Sequence, residues 1–212
     1  MSSALGDFFL IASEKYSVRR LGDLTSSITD GPHKTPAYVE DGIPFVTVKN
    51  MVNGKIKFSD IKYISPADYA EFSRRCKPEY GDVLYSKDGA TRDRPCLVDT
   101  TREFAIFVSV ALIKPIRELL YGRYLCHLLN SGWIRRRMAN RSRGDMIPHI
   151  VLPEIQAFPV PLPAISEQHR IVNYLDTLQT KVDALKRLQT ETATELDALL
   201  PSILDKAFKG EL

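Results

Sequence analysis

The chain has 212 residues, 44% of them hydrophobic and 26% charged, with a formal net charge of +3; this composition fits one well-buried domain plus an appendage and excludes a disordered chain. Its apolar runs are short, Phe8 to Ala12 being an example, and no basic-then-apolar leader is visible, so no membrane association is predicted and a cytoplasmic protein is expected. Cys76, Cys96 and Cys126 are odd in number and lack a Cys-x-x-Cys pair, which argues against a disulfide framework or structural zinc site and reads as three buried thiols.

From Arg19 to about Val160, short apolar runs alternate with turn residues. The first polar loop, Thr29-Asp-Gly-Pro-His-Lys-Thr-Pro36, is stiffened by Gly31 and two prolines and displays His33 and Lys34. Ile43 to Val48 lies between Asp41-Gly42 and Asn53-Gly54, the pattern of a strand between turns. Ile56 to Phe58, Lys62 to Ile64, Val83 to Tyr85, Cys96 to Val98 and Phe104 to Ile113 continue the strand series. Between them, Pro66 to Arg74 has helical spacing, with Tyr69 and Phe72 on one face. The loop Tyr85 to Arg94 follows a strand and presents Lys87, Arg92 and Arg94. Tyr121 to Met138 is predicted as one helix with Tyr124, Leu125, Leu128, Leu129 and Ile134 inward and His127 as a core histidine.

That helix runs into Arg135 to Arg143, five arginines in nine residues, a charge density suited to phosphates. A solvated face with local ion pairs is the ordinary alternative. Against it, no acid follows until Asp145, and the run leads into the apolar Met146 to Ile150. Strands and helices do not alternate regularly, so the predicted fold class is α+β with long loops rather than a doubly wound sheet.

A proline-rich lead-in, Pro159-Val-Pro-Leu-Pro163, precedes a stretch without Gly or Pro from Ala164 to Leu200. Ile171, Leu175, Leu178, Val182, Leu185, Leu196, Leu199 and Ile203 fall on steps of four and three, with polar Gln189 and Thr192 between Leu185 and Leu196. Such a heptad seam is a helix-to-helix interface. Ser166 is the expected N-cap, Pro201 the expected kink or restart, and Gly210 the stop. Charge divides along the same line: Met1 to Ala164 carry 23 Lys and Arg against 18 Asp and Glu, and Ile165 to Leu212 carry 6 against 8. The expected domains are therefore residues 1–160, a basic globular body, and 161–212, a pairing helix.

No catalytic constellation is visible. The glycine-rich cofactor loop and Asn/Asp-Pro-Pro-aromatic loop of an adenine methyltransferase are missing, as is a P-loop lysine motif. The four histidines are isolated, and the acids lack the paired spacing of a metal-dependent nuclease. No resident cofactor or metal is predicted.

Several segments in order, Thr29-Asp-Gly-Pro-His-Lys-Thr-Pro, Gly42-Ile-Pro-Phe-Val-Thr-Val-Lys-Asn, Gly81-Asp-Val-Leu-Tyr-Ser-Lys-Asp-Gly-Ala-Thr, Phe158-Pro-Val-Pro-Leu-Pro with Glu167-Gln-His-Arg-Ile, and Ile203-Leu-Asp-Lys-Ala-Phe-Lys-Gly-Glu-Leu, resemble the DNA specificity subunit of type I restriction-modification systems. Members often continue the glycine loop as Gly-Ala-Thr-Ile-Gly, whereas this chain reads Gly89-Ala-Thr-Arg-Asp-Arg94. The usual subunit has two target-recognition domains and two helical regions; this chain carries one of each and resembles a half-subunit, expected from Met1 and its full tail to be self-contained. The resemblance implies a non-catalytic protein that reads half of a bipartite double-stranded DNA site, docks a methyltransferase subunit that modifies adenine N6, and takes a restriction subunit as an optional further partner. A homodimer through the helix is expected, with Lys34, Lys87, Arg92, Arg94, Arg141 and Arg143 as DNA contacts. A free-standing, coiled-coil-dimerised DNA-binding regulator, a protein-only scaffold and a product trimmed from a longer subunit are the competing readings.

Overall fold

Branched and aromatic runs between turn residues form short strands in the computed structural model, which describes residues 2–88, 94–139 and 150–210. The strands are β1 (Val18–Arg20), β2 (Thr25–Asp30), β3 (Tyr38–Val39), β4 (Ile43–Val46), β5 (Met51–Val52), β6 (Lys55–Ile56), β7 (Lys62–Ile64), β8 (Val83–Ser86), β9 (Pro95–Leu97), β10 (Ala105–Ile106), β11 (Val110–Pro115) and β12 (Pro159–Pro161). The helices are α1 (Ser2–Lys15), α2 (Pro66–Ser73), α3 (Gly122–Asn130), α4 (Gly132–Ala139), α5 (Leu152–Gln156) and α6 (Ile165–Lys209). The fold is α+β. Contacts divide it into two compact units, Met1–His169 and Arg170–Leu212.

In the first unit an antiparallel sheet has the order β2-β11-β8-β9, and a second sheet the order β10-β4-β7-β3 with β10 parallel to β4. Val83, Leu84, Tyr85 and Val110 to Ile113 are all fully buried, so the central strands of the first sheet are covered on both faces. Leu84, Val110 and Leu112 join Val46, Met51, Cys96, Phe104 and Ile106 in the main core, while the Tyr85 ring meets Phe158 edge-on at 5.8 Å. Phe45, Ile64, Phe72 and Ala105 form a smaller core under α2, which starts where the Asp68 N–H donates to the Ser65 Oγ at 3.0 Å.

Several elements differ from the sequence expectation, among them the strand run expected over Phe104 to Ile113, which forms β10 and β11 in two different sheets; three others have a plain physical reason. Helix α1 was not anticipated, yet Leu5, Phe9 and Ala12 are buried at helical spacing and Phe9 meets the Tyr124 ring at 5.6 Å. The single helix predicted for Tyr121 to Met138 is two, because Ser131 is extended (φ −73°, ψ 145°); its Oγ donates to Leu128 O at 2.5 Å and accepts from Ile134 N–H at 3.5 Å. Third, α6 begins a residue before Ser166, with Ala164 O accepting from Glu167 and Gln168 N–H, and it continues through Pro201 without ending. Its 45 residues correspond to about 68 Å of helix.

The buried Gln168 side chain explains why the first turn of α6 belongs to the first unit. Its Nε2 donates to Leu119 O at 2.7 Å and Pro163 O at 3.0 Å, and its Oε1 accepts from Tyr121 N–H at 2.9 Å. Of the predicted seam, Ile171 and Leu175 are buried within the single chain and Val182 is half-buried. Leu178, Leu185, Leu196 and Leu199 are exposed, by 38%, 61%, 60% and 55%. The Ile203 side chain lies outside the described residues. Burial raises the Cys76 thiol and pushes Cys96 up to about 12, so both stay protonated at neutral pH. Cys126 and His127 are half-buried, a correction to their expected core positions, because they sit at the margin of the α3 face that buries Tyr124, Leu125, Leu128 and Leu129. Among the described residues no helix is long and apolar enough to cross a membrane.

Candidate nucleic-acid interface

Strand order brings together loops that are far apart in sequence. β11 is antiparallel to both β2 and β8, and β9 is antiparallel to β8. The ends of β2 and β8 and the starts of β9 and β11 therefore share one edge of the first sheet. That edge carries the loop after Asp30, the connection between Ser86 and Pro95, and the Phe107–Ser109 approach to β11. Ser86 N–H donates to Arg94 O at 3.2 Å, and Arg94 N–H returns to Ser86 Oγ at 3.0 Å, closing the neck of the β8–β9 connection.

Lys34 in the loop after β2 and Arg94 at this neck are both exposed, as the sequence reading requires of them. Lys87 is not displayed: it is 3% exposed, and its Nζ lies 2.6 Å from Asp30 Oδ2. Reading it as a DNA contact is corrected here, since a buried ammonium with a carboxylate partner is held away from phosphate. Arg92, Arg141 and Arg143 lie outside the described residues. In the arginine run, Arg136 is exposed.

The structure adds cations that the sequence reading passed over. The β5–β6 hairpin turns at Asn53 (φ 52°) and Gly54 (φ 74°), the left-handed pair of a tight hairpin turn. A Cβ on Gly54 would lie 3.9 Å from Pro95 O, which puts the hairpin tip beside the same sheet edge. Lys49, Lys55 and Lys57, on and beside this hairpin, are exposed. Their signal was present as Asn-Gly flanked by lysines. Chemically, the described part of the edge offers exposed ammonium groups and one exposed guanidinium, a set suited to phosphates and base edges.

The family model for the type I restriction modification DNA specificity domain matches residues 13–193. The chain belongs to this family. It is 27% identical over 174 residues to the EcoBI specificity subunit of Escherichia coli and 22% identical over 176 residues to the EcoKI specificity subunit of Escherichia coli K12, each match covering 82% of this chain. The HsdS subunit from Thermoanaerobacter tengcongensis superposes with a TM-score of 0.66 at 26% identity, covering 99% of this chain and 52% of that one. A chain from a structure of complex assembly and conformational transition of the type I R-M system gives 0.71 at 27% identity, covering 99% and 53%. The chain thus spans 36–37% of the two curated relatives and about half of the solved chains.

Proposed function

We propose that this chain is the non-catalytic sequence-reading component of a type I modification assembly, with one globular domain engaging half of a bipartite DNA site. The observation that carries the reading is exposed Arg94 at one edge of the first sheet, with the lysine-bearing hairpin tip beside it and exposed Lys34 in the loop that leaves the same edge, in a chain of this family. Cations on that edge neutralise phosphates and fix the orientation of the domain, while side chains on the same loops reach base edges. The exposed leucines of α6 pair with a second helix, and a second copy of this chain is the occupant proposed. A symmetric pair would read an interrupted palindrome. The methyltransferase partner supplies adenine-N6 chemistry and binds the methyl donor; a restriction subunit adds cleavage where it joins.

The test is a genome-wide map of N6-methyladenine in a methylation-free host that expresses the chain with the methyltransferase subunit encoded beside it, and in controls lacking either. An interrupted palindrome that needs both proteins is the expected result. An asymmetric motif refutes the homodimer, and no new methylation despite expression of both proteins refutes the targeting role and favours a free-standing regulator.

A further inference from the structure

Among the described members of the expected DNA-contacting set, Lys34, Lys87 and Arg94, only the Lys87 side chain is buried, and its surroundings give it a different task. Lys87 stands one residue beyond the end of β8 and crosses the start of the central strand β11, where its N–H donates to Ser109 O at 2.9 Å. Its ammonium then reaches Asp30, the last residue of β2, at 2.6 Å. Its own carbonyl accepts from Ile150 N–H at 3.1 Å. One residue therefore links four chain segments: the ends of β2 and β8, the approach to β11 and the segment starting at Ile150.

Asp30 is the other half of this junction. It is 6% exposed, and its second oxygen lies 3.5 Å from the Arg75 guanidinium, two residues beyond α2 and itself 69% exposed. The next residue, Gly31, leaves no space for a Cβ: one would overlap Ile106 O and come 2.5 Å from the Phe107 carbonyl carbon. The loop carrying Lys34 thus starts from a backbone wedged against β10 and a carboxylate held from two sides. A buried ion pair is a poor source of stability, because desolvation offsets most of the attraction, but it is directional and strongly resists loss of either partner. A side-chain link between loop roots uses that property.

We propose that the buried Asp30–Lys87 pair is a positioning clamp for base recognition, fixing the loop after β2 relative to the end of β8 and the start of β11 so that base-reading side chains meet the DNA in one register. This rests on the DNA-reading function proposed above. Lys87 is a positioning residue and touches no phosphate. Removing the pair should relax sequence choice while leaving the electrostatic part of binding intact, since that part depends on exposed cations.

The test uses the full chain assembled with its methyltransferase subunit. Lys87→Met removes the ammonium and leaves a buried carboxylate; Asp30→Leu with Lys87→Met removes both charges at similar volume, which keeps a folded protein available. Two quantities are read for each: the ratio of methylation at the wild-type motif to methylation at its single-mismatch sites, and the salt dependence of binding to a scrambled duplex by fluorescence anisotropy. The expected result is a fall of at least tenfold in the ratio for both variants, with the salt slope equal to wild type.

A slope reduced by about one would make Lys87 a phosphate contact and overturn the clamp. An unchanged ratio in the folded double variant, with altered thermal stability only, would reduce the pair to ordinary packing. Failure of both variants to fold would also overturn the proposal, by assigning the pair to fold stability. If the wild-type assembly itself methylates no specific motif, the functional reading fails; a specific wild type with unaffected variants sinks the clamp alone.

Discussion

Replacing Gln168 by methionine keeps the length of the side chain and removes three hydrogen bonds at once, one buried and two half-buried. In the wild type its amide donates to Leu119 O and Pro163 O and accepts from Tyr121 N–H, at 2.7, 3.0 and 2.9 Å. Each bond contributes about 1 kcal/mol net, and the substitution leaves one backbone N–H and two carbonyls without this partner, so the expected loss is about 3 kcal/mol. For a chain of this size that is a fall of roughly 6–12 °C in Tm. Gln168→Glu is the sharper control. It can still accept from Tyr121 but cannot donate to either carbonyl unless protonated, and it brings a carboxylate into a site where Gln168 is fully buried, so it should be at least as damaging as methionine at neutral pH. Urea denaturation followed by circular dichroism, with exposed Thr190→Ala as a reference, measures the differences. A loss below about 1 kcal/mol for Gln168→Met would refute the idea that this amide holds the first turn of α6 to the segment before α3.

Three further outcomes follow from the geometry. Single Lys34→Ala, Lys55→Ala and Arg94→Ala changes should each weaken binding to all duplexes and flatten the log–log salt slope by about one where the group meets a phosphate, measured by anisotropy titration at several salt concentrations; three unaltered slopes would remove the sheet edge from the DNA surface. Gln189→Leu with Thr192→Leu should strengthen self-association of the chain, seen as a lower dissociation constant in analytical ultracentrifugation, and weaker association would remove those residues from the seam. Burial pulls the Lys114 ammonium down, but bonds to Glu79 at 2.8 Å and Asp82 at 2.9 Å outweigh it and leave it above its ordinary 10.5. Its folded value being raised, its contribution is complete below 10.5 and lost as pH climbs through the folded value, so Lys114→Met should flatten the decline in urea stability that sets in above pH 10.5 and leave the profile below it unchanged in shape.

Local chemistry was legible in the sequence wherever the cause of a structure lies within a few residues. The turn-bounded strand at Ile43 and the helix from Pro66 are in place, because turn residues and periodicity are short-range properties. The break at Ser131 was not read, since the apolar positions on both sides keep helical spacing and only the serine's hydrogen bonds divide them. Lys87 shows a deeper limit. A basic residue beside a glycine loop reads as displayed, but its carboxylate partner is 57 residues away in the chain and comes within 2.6 Å only because β2 and β8 flank the same strand. Charge can be counted from sequence; its exposure depends on pairing between distant strands.

The long helix makes the same point about partners. A heptad repeat records that one face is covered by something and is silent about which chain supplies the cover. Here the four-and-three spacing runs from Ile171 to Leu199 with Gln189 and Thr192 in two of its slots, yet Ile171 and Leu175 are buried whereas Leu185, Leu196 and Leu199 are more than half exposed. One periodic signal therefore spans two physical situations. Only the exposed positions have apolar area left to lose on association, so pairing should respond to substitutions beyond Val182 far more than to any at Ile171. Leu185→Asp with Leu196→Asp should leave the urea midpoint of the first unit close to wild type and render the chain monomeric by light scattering. A dimer that survives both aspartates would mean that the exposed leucines are not where the second helix lies.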